Sequence, residues 1–239
     1  MGKNLIAQRS GRGTRKFRAP SFRWAGKVSY RRPAQAQTLT AVVRDLITSQ
    51  GHTTPLAEIR FEDGQDSLHI APEGLRVGDT ISIGENAPVQ LGNTLPLKNV
   101  PEGTLIYNIE NTPGDGGKFV RASGTSARVV SKLNNAVIVA LPSKKEKVFN
   151  PNCFATVGIC AGGGRPEKPF LTAGNKYHYM EKKNKYYPRS KGVAMNAADH
   201  PFGGSRTLRK GRPTVAPHNA PPGRKVGMIR ARRTGRKNR

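Results

Sequence analysis

Residues 38–84 read TLTAVVRDLITSQGHTTPLAEIRFEDGQDSLHIAPEGLRVGDTISIG, and four pieces of this stretch alternate apolar with polar side chains. TLTAVVRDLI, LAEIRF, DSLHIA and DTISIG each turn an apolar group to one side at every second residue, the spacing of a strand buried on one face. Asp63-Gly64, Pro72-Glu73-Gly74 and Val77-Gly78-Asp79 punctuate them as turns. Several short strands at close spacing predict a mainly β fold, with residues 34–87 closed into a small barrel, most naturally of the oligonucleotide-binding type. His69 is read as a strand residue and His52 as part of a polar turn, neither with a chemical role.

Moving outward, PVQLGN, TLIYNIE, KFVRASG, SARVVSKL, AVIVALP, KEKVFN and FATVGIC carry the β pattern from residue 88 to 164, and Asn134-Asn135 stands at hairpin spacing between two of them. A second small barrel is predicted here, SH3-like, although these residues alone do not separate one barrel type from another. Cys153 and Cys160 are the two cysteines of the chain. Seven apart, they match no zinc spacing and offer no disulfide framework, so both are read as small packing residues suited to a reducing cytosol.

Charge changes sharply at both ends. The formal net charge of the 239 residues is +26. Residues 1–33 hold ten Lys or Arg and no acid, with Phe17, Phe22, Trp24 and Tyr30 interleaved; residues 205–239 hold twelve and again no acid. Residues 34–110 reverse this, with four Lys or Arg against ten Asp or Glu. A surface so one-signed calls for a polyanion. Gly and Pro throughout the basic stretches rule out the broad amphipathic helices that an anionic membrane selects, and no apolar run suggests a span or a secretion signal. The ends are therefore read as a basic N-terminal arm, 1–33, and an extended basic C-terminal arm, 165–239. Both order on nucleic acid, their aromatics stacking on bases and their cations on phosphates. Tyr179–Lys185 is expected to make one helical turn.

Three loops carry candidate contacts. In TPGDGGKF, Gly114, Gly116 and Gly117 precede Lys118 without Walker spacing, which excludes nucleotide hydrolysis; a turn that offers backbone N–H groups and Lys118 to an RNA phosphate is expected, with Arg121 on the same strand face as Phe119. Gly162-Gly163-Gly164-Arg165 lets a sugar-phosphate chain come close, with Lys168, Lys176 and His178 following. GVAMNAADHPFGG, residues 192–204, fits no helix or strand and reads as a shaped contact loop through Asn196, Asp199, His200, Gly203 and Gly204. Asp199-His200 invites a general-base reading, but neighbours in sequence rarely aim at each other and no Ser or Cys nucleophile accompanies them.

GVAMNAADHPFGG and the tail ending NAPPGRKVGMIRARRTGRKNR closely resemble the universal large-subunit ribosomal protein L-two family. MGKNLIAQRSGRGTRKFRAPS, LGNTLPLKNVPEGTLIYNIENTPGDGGKFVRASG and TVGICAGGGRPEKPFLTAGNKYH resemble its archaeal branch, so the likeness runs the length of the chain. The resemblance implies the same pair of barrels and a structural role on 23S-type ribosomal RNA near the peptidyl-transferase centre. It further implies support for tRNA binding and subunit joining, with the small subunit at an intersubunit bridge and other large-subunit proteins as neighbours. A role in peptide-bond formation has been proposed for the family's histidine at the position of His200. Here Phe202 replaces the second histidine of the bacterial pattern and Ser205 ends the glycine run early, both against a proton relay.

The expected RNA contacts are then Arg9, Arg12, Arg15, Lys16, Arg18, Arg23 and Trp24 in the first arm, and Lys118, Arg121, Gly162, Gly163, Gly164, Arg165, Lys168, Lys176 and His178 in the middle. The loop residues above follow, with Arg206, Arg212, Arg224, Lys225, Arg232 and Arg233 in the tail. No enzymatic residue, small-molecule substrate, membrane or protein-held cofactor is expected, only magnesium ions associated with the RNA, and a cytoplasmic location on the ribosome. A free RNA-binding module and an RNA-processing enzyme are the rival classes. The acid-free arms disfavour the first, and the concentration of acids between 34 and 110 disfavours the second.

Overall fold

The computed structural model describes residues 2–33, 37–208 and 215–229. They form two compact units, residues 21–170 and the described parts of 1–20 with 171–239.

Residues 21–170 contain β1 (Thr38–Ile47), β2 (Leu56–Phe61), β3 (Asp66–Ile70), β4 (Thr80–Gly84), β5 (Thr94–Pro96), β6 (Leu105–Tyr107), β7 (Ala127–Leu133), β8 (Ala136–Ala140), β9 (Glu146–Phe149) and β10 (Phe154–Val157). The mainly β expectation holds. Hydrogen bonds join the ten strands in the order β3-β2-β1-β4-β5-β10-β6-β7-β8-β9. The ten strands thus make one open mixed sheet. The join is β4 to β5, the one parallel pair, held at the single register Ile83↔Thr94.

Alternation explains the first strands. In β2, Leu56, Ala57, Ile59 and Phe61 are buried while Arg60 is exposed. The turn at Val77-Gly78-Asp79 clasps β1 through Gly78 N–H to Val43 O and Val43 N–H to Asp79 O, both 2.9 Å. A bulge between Val43 and Asp45 shifts the β1–β2 register there. Two expected strands do not form: PVQLGN is turn and bend, and KFVRASG contributes only an isolated bridge, Ile109↔Phe119. Val120 has φ 54°, which breaks alternation just after Phe119 and takes Arg121 off any shared strand face.

The sheet covers two apolar cores. Val43, Ile59, Phe61, Ile81 and Ile83 belong to the first, and Leu95, Ile106, Val129, Val139 and Phe149 to the second. Between them, Leu56 and Ile70 meet Tyr107, Cys160 and Val28 in a third cluster. The Tyr107 hydroxyl donates to Ile70 O at 3.0 Å and so ties the halves together. Both cysteines are buried, and burial pushes the thiols up, Cys153 to about 11 and Cys160 to about 12.

The segment 21–33 packs on this body. Val28 bridges Leu68. The Tyr30 hydroxyl bonds to Asn108 O and lies 2.8 Å from Thr156 Oγ1, and its ring meets His69 edge-on at 5.8 Å. Tyr30 is therefore a packing residue, not an aromatic free to stack on RNA, and burial raises its phenol far above the ordinary range.

The other unit has α1 (Ile6–Gly11) and α2 (Ala173–Lys182), neither with a buried residue. The expected single turn at Tyr179–Lys185 is corrected to a ten-residue helix starting earlier. Thr172 caps it by accepting the Asn175 N–H at 3.3 Å, and Asn184, at φ 49°, ends it.

Candidate nucleic-acid interface

Charge and core are divided between the units. Residues 1–20 and 171–239 carry 24 Lys or Arg against two acids, whereas 21–170 carry 17 against 13. Of the net +26, then, +22 belongs to the smaller unit. Among its described residues Pro20 and Ala220 are the buried apolar side chains, so no hydrophobic core opposes that repulsion.

Backbone bonds shape the 192–204 loop. Asn196 O accepts the N–H groups of Asp199 and His200, His200 O accepts Gly203 N–H at 2.8 Å, and Met195 O accepts Gly204 N–H at 3.3 Å. A Cβ on Gly203 would sit 2.1 Å from Asn196 O, so glycine there serves the loop's own turn. His200 Nδ1 accepts the Phe202 N–H at 3.0 Å, so in the neutral ring Nε2 is the nitrogen that can donate. The Asp199 carboxylate pairs with Lys3 Nζ at 3.3 Å. The arrangement presents a hydrogen-bond donor and gives the imidazole no carboxylate to orient it. His200 and Asp199 also border a cavity of about 480 Å³ with Arg9, Arg189 and Lys225 around an apolar floor of Leu5 and Ile6.

The two glycine loops differ from expectation. Glu110, 2% exposed, accepts the N–H groups of Gly114 (3.2 Å), Gly116 (3.1 Å) and Phe154 (2.9 Å). Asp115 accepts those of Asn111, Thr112 and Gly117. The amides assigned to a phosphate thus bind the chain's own carboxylates, and the exposed Lys118 is the group left to face a ligand. Arg121 donates to Gly117 O at 2.9 Å and Val28 O at 3.1 Å, which commits it to holding the loop and the 21–33 segment. At Gly163 the glycine allows backbone to meet backbone, since a Cβ on Gly124 would lie 2.5 Å from its Cα. Gly162 packs near Ser123 and Pro55, Gly164 faces open space, and Arg165 Nε donates to Ser123 Oγ at 3.0 Å.

Of the other expected contacts, Arg12, Arg15, Lys16, Arg18, Lys168, Arg206, Arg224 and Lys225 are exposed. Arg23 lies over Phe22 at 5.3 Å, and Trp24 packs on Gly51 and edge-on to His52. Lys176 sits over Tyr187 at 5.5 Å, and His178 pairs with Glu181 at 3.5 Å. Arg212, Arg232 and Arg233 lie outside the described residues. Sequence reasoning passed over Tyr186, Tyr187, Lys185 and Arg189, which line cavities of the cationic unit. Their signal was the alternation of Tyr with Lys in YHYMEKKNKYYPRSKG.

Residues 90–224 match the family model for Ribosomal Proteins L2, C-terminal domain. Matches to complete proteins extend the likeness over nearly all of the chain. Large ribosomal subunit protein uL2 of Methanobrevibacter smithii is 49% identical over 240 residues, covering 99% of this chain and 100% of that protein. The protein of the same name in Methanothermobacter thermautotrophicus is 50% identical with the same coverage, and that of Natronomonas pharaonis 48% identical over 99% of this chain and 97% of its own. The chain belongs to the ribosomal protein uL2 family. Membership in the uL2 family makes its role in the ribosome structural and not enzymatic. For a uL2 protein the partition above has a plain meaning: a β body supplies the stable fold, and the charge is gathered where the fold has no core. Among the described residues no helix is long and apolar enough to cross a membrane, and no group of three His, Cys, Asp or Glu side chains could hold a metal ion.

Proposed function

We propose that the chain is a structural constituent of the large ribosomal subunit that binds 23S-type ribosomal RNA directly, as a primary binding protein, through its cationic unit. What carries the reading is the segregation of +22 charges into residues 1–20 and 171–239, a unit with two small buried apolar side chains, Pro20 and Ala220, among its described residues. Cations without a core gain their structure from an anionic scaffold, and an extended chain of Arg and Lys fits between RNA helices that otherwise repel one another, with RNA-bound magnesium sharing the neutralisation. The name carried by the relatives, large ribosomal subunit protein uL2, points to that scaffold. The 192–204 loop supports ribosomal RNA folding near the peptidyl-transferase centre, and the β body faces other large-subunit proteins and the small subunit at a bridge, which aids subunit joining and tRNA binding.

The finer architecture is part of the same proposal. Residues 34–87 curl around the first core as an oligonucleotide-binding-type barrel and 88–164 around the second as an SH3-like one, with 1–33 and 165–239 as the RNA-binding arms. The two distinct cores on one sheet support it.

Removing residues 205–239, with twelve Lys or Arg, should weaken binding to ribosomal RNA fragments. It should also flatten the dependence of log K on log salt by roughly 0.7 to 0.9 for each phosphate that is no longer neutralised. An unchanged slope would overturn the reading. Retention on large subunits through a high-salt wash separates a built-in constituent from a free RNA-binding module.

A further inference from the structure

We infer that the aromatic notch beside α2 is a site for one unpaired RNA base, guanine by preference; this rests on the RNA-binding reading above and adds which nucleotide is held. The notch is a cavity of about 390 Å³ in the cationic unit, walled by Phe17, Tyr177, Tyr186 and Tyr187. That volume falls within the range of about 300–1,000 Å³ typical of small-ligand sites. Tyr177 and Tyr186 remain 45% and 42% exposed. Rings left open beside cations, in a unit with almost nothing apolar to cover them, are stacking platforms for bases, and only an unpaired base offers both its face and its edge.

Local structure builds the walls. Tyr177 and Glu181 stand four apart on α2 and share one face of the helix. Past the helix, Asn184 adopts φ 49° and Lys185 N–H returns to Met180 O at 2.9 Å, which turns Lys185–Tyr187 back toward that face. The Asn184 side chain donates to Arg18 O at 3.0 Å and so anchors the Arg15–Phe17 turn, bringing Phe17 and Lys16 to the opposite wall. Lys16 and Lys185 line the same cavity and supply cations for the phosphates flanking a seated base.

Glu181 selects the base. It is one of only two acids in this unit: Asp199 is paired with Lys3, and Glu181 meets His178 in an exposed contact at 3.5 Å. Facing a polyanion, a carboxylate at the cavity repels phosphate and accepts hydrogen bonds only. Guanine presents two adjacent donors on its Watson–Crick edge, N1–H and the N2 amino group, and these match the two carboxylate oxygens. Adenine and cytosine present one donor beside an acceptor, which a carboxylate repels.

The test uses the full chain and single-stranded RNA hexamers of uridine with one central G, A or C, titrated by fluorescence anisotropy at several salt concentrations. The G hexamer should bind about tenfold tighter than the other two. Tyr186→Ala should weaken it about tenfold, the size of one base–aromatic stack. Tyr186→Phe should retain the affinity. Glu181→Gln, an exposed change that leaves the fold intact, should abolish the preference. Neither Tyr186→Ala nor Glu181→Gln removes a cation, so the salt slope stays as in the wild type. Equal affinity for the three hexamers, or undiminished binding by Tyr186→Ala, overturns the inference while a steep salt slope leaves the RNA-binding reading standing. Salt-independent binding, or none to hexamers and ribosomal RNA fragments alike, overturns that reading instead.

Discussion

Replacing His69 with Phe should remove a defined part of the acid sensitivity of the β body. His69 sits in β3 opposite Ala57, is 5% exposed, and its Nε2 has no hydrogen-bond partner. Burial pushes its pKa down to about 4 from 6.5. Between those values the unfolded chain binds a proton that the folded one refuses, so the neutral ring's stability is complete above pH ~6.5 and is lost as pH falls towards 4. At 1.36 kcal/mol per tenfold, the gap corresponds to about 3 kcal/mol, of which about 2 kcal/mol disappears between pH 7 and pH 5. His52, lowered by burial and then by Arg121, adds to the slope with the same sign, so wild type and variant must be compared at each pH. Trp24, the single tryptophan, packs on Gly51 and His52 in the same unit and reports urea unfolding by its fluorescence. A phenyl ring keeps the edge contact with Tyr30 but cannot titrate. If the variant loses as much stability from pH 7 to pH 5 as the wild type, the account of His69 is wrong.

Glu110→Ala strips an acceptor from the buried N–H groups of Gly116 and Phe154, and a cost of about 3–6 kcal/mol should appear as a lower urea midpoint; an unshifted midpoint would contradict the carboxylate's role. Cys153 and Cys160 should resist iodoacetamide at pH 8 in the native protein and react once it is denatured, as mass spectrometry would show, since both thiols are buried and held protonated. Gly203→Ala places a Cβ 2.1 Å from Asn196 O, so affinity for ribosomal RNA should fall while Trp24-monitored unfolding stays put, the loop lying in the other unit. Equal loss in both measurements would mean that the loop is not a separate feature.

The strands of residues 38–84 were legible because half-burial on one face writes itself as alternation, and β1 to β4 fall on the segments that alternate. Around Val120 no such record exists: a positive φ and two carboxylates turned inward shape that loop, and neither leaves a period in the sequence. Tyr30 misleads for a related reason. A tyrosine between basic residues looks available for stacking, and only the gap beside Thr156 and His69 shows that it is spoken for. The cationic unit was visible as composition, but the notch beside α2 depends on a Thr172 cap and a left-handed Asn184, which a scan for Gly and Pro does not detect. That all ten strands join in one sheet is likewise a matter of long-range pairing, on which local periodicity is silent.

The order of pairing in the sheet bears on how the chain is made. β1 to β4 pair among themselves and with Val28 apart from one parallel register at Ile83, so their hydrogen-bond ladders can close once residue 84 has left the ribosome that is synthesising them, while Leu56 and Ile70 still await Tyr107 and Cys160. β5 and β6 wait for β10, which arrives more than forty residues later. Synthesis from the N-terminus therefore favours a first half that has already settled while the second is still an open hairpin. The most cationic stretch follows last, delivered from a body whose strands are by then complete.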